Sequence, residues 1–241
     1  MKAMILAAGL GTRMRPLTDH TPKPLLKAAG KPLIKYHIEG LVAAGISDIV
    51  VNTSWLGSQI ADYLGDGSMF GASIKLSHED TPLETAGGII KALPFLTSHK
   101  NSDEFFIVVN GDVWTDFNYL ELLDIANAID VDLSLDNKAS TLAHLVMVDN
   151  PPQHPTGDFY LLANGELSES ESQNSECLTF SGISLLNKKL FNACEGGIVP
   201  LAPLLRGAMK SHQVTGHKAS CTWMDIGTPE RLSLLEKHLQ N

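Results

Sequence analysis

Glycines and cations lie close together near the start of the chain, in Gly9-Leu10-Gly11-Thr12-Arg13 and Thr21-Pro22-Lys23-Pro24. Far downstream stand Asp112, in Asn110-Gly111-Asp112, and Asp225, in Trp223-Met224-Asp225-Ile226-Gly227. Glycine leaves backbone N–H groups open to an approaching anion, and a guanidinium or ammonium beside it neutralises polyphosphate charge. Aspartates supply hard oxygen ligands, which together with phosphate suit Mg²⁺. The chemistry these residues suggest is nucleotide binding assisted by a metal ion. The loop is neither a Walker A sequence, which needs Gly-Lys-Ser/Thr, nor the dinucleotide fingerprint, which needs a small residue where Met14 stands.

Positioning such residues requires strands that end at a common edge. Met4 to Ala8 reads as a short buried strand running into the glycine loop. Pro32 to Ala44 carries Leu33, Ile34, Ile38, Leu41 and Val42 at helical spacing and stops at Gly45; Asp48 to Asn52 is strand-like. Trp55 to Leu64 then reads as helix, Ala72 to Ser77 as strand, Gly88 to Leu96 as helix and Phe105 to Asn110 as a buried strand, which puts Asp112 at a strand's carboxyl end. Ala143 to Asp149, Phe159 to Ala163 and Leu178 to Leu186 look like strands, Leu201 to Met209 like a helix, and Thr228-Pro229 caps a last helix to Leu239. This succession predicts a Rossmann-like α/β fold in three layers, α/β/α, around a mostly parallel mixed central sheet, with a smaller strand-rich lobe in the second half. The expectation is one domain over 1–241, with 1–130 holding the nucleotide and 140–241 forming a substrate lobe.

The chain has 241 residues, a net charge of -9 and 44% hydrophobic residues. It is long enough for a sizeable core, and no apolar stretch reaches the ~20 residues of a membrane helix. Its cations are outnumbered overall and form no cluster that suggests a nucleic-acid surface, which argues against nucleic acid as a partner. The apolar run after Lys2 is too short for a secretory leader, so a cytoplasmic location is expected. Cys177, Cys194 and Cys221 are widely spaced without Cys-x-x-Cys and read as reduced. The nine histidines are scattered singly.

The ordered pattern Leu6-Ala7-Ala8-Gly9-Leu10-Gly11-Thr12-Arg13-Met14, Pro16-Leu17-Thr18 and Pro22-Lys23-Pro24 resembles the sugar-1-phosphate nucleotidyltransferases. Asn110-Gly111-Asp112 resembles that family's Gly-Asp metal motif, and Trp223-x-Asp225-x-Gly227-Thr228 its late motif with a second metal-binding aspartate. Val109 to Asp116, His144 to Pro151, Leu178 to Ser184 and Leu201 to Arg206 most resemble the short uridylyltransferases that act on N-acetylmuramate α-1-phosphate in peptidoglycan recycling. Guanylyltransferases for mannose-1-phosphate and thymidylyl- or cytidylyltransferases for glucose-1-phosphate share the opening loop, so the base stays open. A nucleotide-sensing scaffold on the same fold would be expected to lack a metal aspartate or a phosphate cation.

What the resemblance implies is attack of a sugar-1-phosphate oxygen on the α-phosphorus of a nucleoside triphosphate, UTP first among them, with release of pyrophosphate. Arg13, Lys23, Asp112 and Asp225 would be catalytic, and Mg²⁺ on Asp112 and Asp225 would bridge the phosphates. Lys23 would steady the α-phosphate and Arg13 the β/γ-phosphates. Ala8, Gly9, Gly11, Thr12, Arg13, Lys23, Thr85, Gly87 and Asn110 would bind the nucleotide, the Leu83 to Gly88 segment reading the base and Thr85 also capping a helix. Asp149, Gly157, Ser181, Gly182 and Arg206 would bind the sugar, Arg206 being a candidate partner for the lactyl carboxylate of a muramate. Asn164-Gly165-Glu166-Leu167 lacks the Glu-Lys-Pro of many glucose-type enzymes, which counts against glucose-1-phosphate. A monomer or small homo-oligomer is expected.

Overall fold

The computed structural model describes residues 1–97, 105–135 and 140–240. From the amino terminus come β1 (Ala3–Leu6), the glycine loop with short 3-10 turns, a small hairpin of β2 (Lys27–Ala28) and β3 (Lys31–Pro32), and α1 (Leu33–Ala43). Then follow β4 (Asp48–Thr53), α2 (Gly57–Leu64), β5 (Ser73–His78), α3 (Glu84–Leu96), β6 (Phe105–Asn110), β7 (Val113–Thr115) and α4 (Leu120–Leu135). The second half adds β8 (Ala143–Val148), β9 (Phe159–Leu161), β10 (Leu167–Ser168), β11 (Glu176–Asn187), α5 (Leu201–Met209), β12 (Val214–Lys218), β13 (Trp223–Asp225) and α6 (Pro229–Gln240).

A nine-stranded sheet runs β10-β9-β11-β6-β1-β4-β5, with β8 paired to β11 and β12 to β8. Only β10 and β11 run against the others. The strand-rich second half therefore extends the same sheet. Alternation along the strands sends Ala3 and Ile5 of β1 to a core shared with α1, α2 and α4, and Met4 to a second core with α3 and α5. Helices thus cover both faces, as the βα alternation requires. A third cluster, with Met14, Leu26, Trp114, Ile226 and Leu235, clamps the glycine loop to α6.

Local signals explain most boundaries. In α1, Ile34, Ile38 and Leu41 fall on one buried stripe. Gly45 at φ 80° ends the helix as the N–H of Gly45 reaches Val42 O and that of Ile46 reaches Leu41 O, both at 2.9 Å. In α6 the Thr228 hydroxyl accepts the Arg231 N–H at 3.4 Å, the cap its sequence predicts. Thr85 is not a cap: α3 already begins at Glu84, whose φ is 62°, and no side chain caps it. The sequence reading also passed over α4, started by Asn118 Oδ1 accepting from Leu120 N–H, and β12, a polar strand with a central glycine.

Interior histidines tie elements together. Val113 O can only accept, so His37 on α1 donates to it from Nε2 at 2.8 Å and accepts the Tyr119 hydroxyl at Nδ1 at 3.2 Å. His144 on β8 meets Thr215 Oγ1 and His217 Nδ1 on β12, each at 2.8 Å. Burial pushes His37 down to about 4 and His144 down to about 3. Both folded values lie below the unfolded value near 6.5, so the stabilisation is full above that pH and is lost as pH falls toward them. Urea unfolding at about pH 5 compared with about pH 7.5 should show a loss of roughly 2 kcal/mol for each of these histidines. A His37→Asn variant should show a shallower acid slope.

Candidate active site

Where β1, β4 and β6 end at their carboxyl edges, a cleft of about 450 Å³ opens. Of the residues expected at a nucleotide, Ala8, Gly9, Gly11, Thr12, Arg13, Lys23, Thr85 and Asn110 line it, as does Asp112. Gly11 takes φ 63°, and a Cβ on it would lie 2.9 Å from the Thr18 side chain, whose hydroxyl donates to Gly11 O at 2.7 Å. Met14 is fully buried against α6, so the loop is anchored there while neighbouring Arg13 stays exposed at the cleft. A buried anchor at that position is what separates this loop from the dinucleotide fingerprint. Gly87 does not line the cleft: a Cβ there would lie 2.2 Å from Gly197 O, and its N–H donates to Val199 O at 3.0 Å. Its smallness serves close packing of α3 on the loop before α5.

Sequence reasoning missed the polar residues beneath the cleft. Asn52 and Glu79 are 4% and 2% exposed. Asn52 Oδ1 accepts the Ala7 N–H at 2.7 Å, Asn52 Nδ2 donates to Glu79 Oε1 at 2.7 Å, and Glu79 Oε2 accepts the Leu83 N–H at 3.1 Å. One chain of bonds thus fastens the glycine loop to the segment entering α3. Gly88 leaves room for it, since a Cβ there would lie 2.6 Å from Glu79 Oε1. The available signal was a polar residue at the end of each buried parallel strand, Asn52 on β4 and Glu79 just after β5. Asn52→Ala leaves a buried N–H and a buried carboxylate oxygen unpaired, which costs about 1–3 kcal/mol. Thermal unfolding of that variant should show the loss, and its KM for nucleotide should rise as the loop loosens.

Beside the cleft, a smaller cavity of about 230 Å³ is lined by both Asp112 and Asp225, and it shares Asn110 and Asp112 with the first. The antiparallel pairing of β7 with β13 brings the carboxylates together: Asp225 pairs with Val113, and Ile226 N–H donates to Asp112 O at 2.9 Å. Each aspartate holds a cation. The 8% exposed Lys23 donates from Nζ to Asp112 Oδ2 at 2.9 Å, and Arg231 of α6 pairs with Asp225 Oδ2. Arg231, which the sequence reading took only as a helix residue, therefore belongs to the site. A Cβ on Gly227 would lie 3.1 Å from Arg231 Nη1 and 3.3 Å from Arg13 Nη1, so the two guanidiniums converge over this glycine. Among the described residues no third His, Cys, Asp or Glu joins the aspartates to form a protein-only metal cage. That donor set, carboxylates to be completed by phosphate and water, fits Mg²⁺.

The residues expected at a sugar divide. Ser181 lines the second cavity, in a bulge where β11 shifts register against β8 between Phe180 and Ile183. Its hydroxyl donates to Val146 O at 2.7 Å, and its carbonyl accepts the Trp223 indole N–H at 2.8 Å. Gly182 lies behind Asn110, where a Cβ would come within 2.6 Å of Nδ2. Gly157 supports the cavity from a turn rather than lining it. Asp149 and Arg206 are not brought to either cavity. Asp149 pairs with Lys218 at 2.7 Å, and Arg206, on α5, pairs with Glu169 at 3.2 Å. Helix α5 turns its apolar stripe to the sheet, which leaves Arg206 to the surface loop.

The family model for nucleotidyl transferases matches residues 2–140. The chain is 47% identical over 234 residues to an N-acetylmuramate α-1-phosphate uridylyltransferase of Neisseria meningitidis, covering 96% of this chain and 95% of that one. It is 29% identical to an enzyme of the same name from Caulobacter vibrioides, covering 98% and 96%, and 30% identical to a mannose-1-phosphate guanylyltransferase of Mycobacterium tuberculosis, covering 95% and 61%. Among solved structures, HddC from Yersinia pseudotuberculosis complexed with GMP-PN superposes with a TM-score of 0.74 at 22% identity over 99% of both chains. A Bacillus anthracis protein assigned as a glucose-1-phosphate thymidylyltransferase superposes with a TM-score of 0.82 at 21% identity, covering 100% and 96%. The chain belongs to the nucleotidyltransferase family, as a sugar-1-phosphate nucleotidyltransferase with a Rossmann-like fold. Enzymes of this family join a sugar-1-phosphate and a nucleoside triphosphate into a nucleotide sugar. No described helix is long and apolar enough to cross a membrane.

Proposed function

We propose that the chain is a Mg²⁺-dependent uridylyltransferase of the cytoplasm that condenses UTP with N-acetylmuramate α-1-phosphate, giving UDP-N-acetylmuramate and pyrophosphate. The observation that carries this reading is the 47% identity to the Neisseria enzyme, which runs the length of both chains. The two adjoining cavities that share Asn110 and Asp112 support it, because they suit two phosphate-bearing substrates that must meet at one aspartate. In this reading 1–241 acts as one domain, 1–130 for the nucleotide and 140–241 for the sugar.

The reactants are anionic, so the protein's task is to align them and stabilise charge on the leaving pyrophosphate. The triphosphate lies along the glycine loop, with Arg13 at the β- and γ-phosphates and Lys23 at the α-phosphate. Leu83 to Thr85 face the base with backbone groups, held in place by Glu79. The sugar phosphate enters from the second cavity and its oxygen attacks the α-phosphorus in line as the bond to pyrophosphate breaks. No side-chain nucleophile takes part, and a phosphate monoester already ionised near neutral pH needs no general base. Asp112 and Asp225 would hold the divalent cation, which when bound screens the repulsion between the two phosphates. Arg231 steadies Asp225.

The decisive assay crosses the five nucleoside triphosphates with several sugar-1-phosphates and measures pyrophosphate release. UTP with N-acetylmuramate α-1-phosphate should give the highest kcat/KM; a stronger preference for glucose- or mannose-1-phosphate would overturn the sugar assignment. Turnover should stop with EDTA and return with Mg²⁺. Asp112→Asn and Asp225→Asn should each lose at least about a hundredfold in kcat, the usual size of a lost major electrostatic stabiliser, with circular dichroism and melting temperature showing that the variants are folded.

A further inference from the structure

A sugar that carries a carboxylate adds another anion to a cavity that already contains Asp112 and Asp225. Burying it unpaired costs several kcal/mol, so it must either meet a cation or stay in water. Arg206, the arginine that the sequence pattern offers for this role, is committed to Glu169 at 3.2 Å, and Lys218 to Asp149 at 2.7 Å and Glu176 at 2.8 Å. Among the described residues lining the second cavity there is no lysine or arginine, and His154 is the side chain there that can carry positive charge.

His154 is built into the wall. Its N–H closes a turn onto Pro151 O at 2.8 Å, and its carbonyl accepts the Gly157 N–H at 3.3 Å. Asn150 fastens that turn to β11, donating to Cys177 O at 2.9 Å and accepting the Thr179 hydroxyl at 2.8 Å. Gly157, at φ 64°, lets the turn close, since a Cβ on it would lie 2.8 Å from Asn150 Oδ1 and 2.9 Å from Leu178 O. The ring is oriented too: His154 Nε2 lies 3.1 Å from Asp158 Oδ1, while Asp158 Oδ2 accepts the Phe180 N–H at 2.8 Å. An imidazole that donates from Nε2 to a fixed carboxylate has Nδ1 left to donate, in its cationic form, to a second anion.

We propose that His154, positioned by Asp158, receives the carboxylate of an acidic amino-sugar phosphate and sets selectivity for that sugar over its uncharged analogue. This inference rests on the sugar-1-phosphate reading and deepens it. The His154 side chain is 41% exposed, so the pair sits at the cavity rim and its effect is that of a partly hydrated ion pair.

The test compares N-acetylmuramate α-1-phosphate with N-acetylglucosamine α-1-phosphate, which differ by the lactyl ether, in the wild-type holoenzyme with UTP and Mg²⁺. His154→Gln should lower the kcat/KM ratio between them about tenfold, a change of about 1.4 kcal/mol, through KM for the muramate, with N-acetylglucosamine-1-phosphate kinetics and melting temperature little changed. His154→Lys should restore much of the ratio. An unchanged ratio in folded His154→Gln overturns this inference alone. A wild-type enzyme that uses N-acetylglucosamine-1-phosphate as well as the muramate overturns the substrate reading and this inference with it.

Discussion

The site depends on one non-local contact, the pairing of β7 with β13. Asp112 and Asp225 lie on opposite halves of the chain, and neither has a reason of its own to stand near the other. Backbone hydrogen bonds between Val113–Thr115 and Trp223–Asp225, extended by the Ile226 N–H on Asp112 O, decide their separation. The pairing is itself held from below and from the side. His37, itself held by the Tyr119 hydroxyl, grips Val113 from the α1 side, and Trp114 and Ile226 pack with Met14 and Leu235. The cluster that joins the two aspartates therefore also anchors the glycine loop that would carry the triphosphate.

Charge is handled by mutual neutralisation. Two carboxylates facing one cavity would repel, and Lys23 and Arg231 relieve that repulsion by each taking one of them. In the proposed reaction a phosphate-bearing ligand would offer those cations an alternative partner and so leave carboxylate oxygens free to hold a divalent cation. In the proposed reaction the same side chains thus serve the resting protein and the loaded one. Below them, the uncharged bonds of Asn52 to Ala7 and to Glu79 keep the loop fixed independently of whatever occupies the cleft.

The parallel and antiparallel parts of the sheet meet at the site. The carboxyl edge of β1, β4 and β6 is continuous with β11, so a bulge in β11 around Ser181 and Gly182 can press on Asn110 from the sugar side. Cavities that meet at Asn110 and Asp112 follow from placing an antiparallel strand next to a parallel one. Strand β11 supplies the wall that the purely parallel first half lacks.

Local order was legible in the sequence. Apolar alternation and helical spacing marked β4, β6, α1 and α5 closely, Gly45 and Thr228 marked helix ends, and the ordered loop motif with its aspartates named the cleft residues, because each of these signals acts over a few neighbouring positions. The roles of Asn52, Glu79, Arg231 and His154 were not legible, nor were the displacement of Gly87 to a packing contact and the commitment of Arg206 to Glu169. Such roles are set by which residues distant in sequence share a cavity. A polar side chain at a strand end reads the same whether it faces water or bridges two loops, and only the assembled sheet decides which.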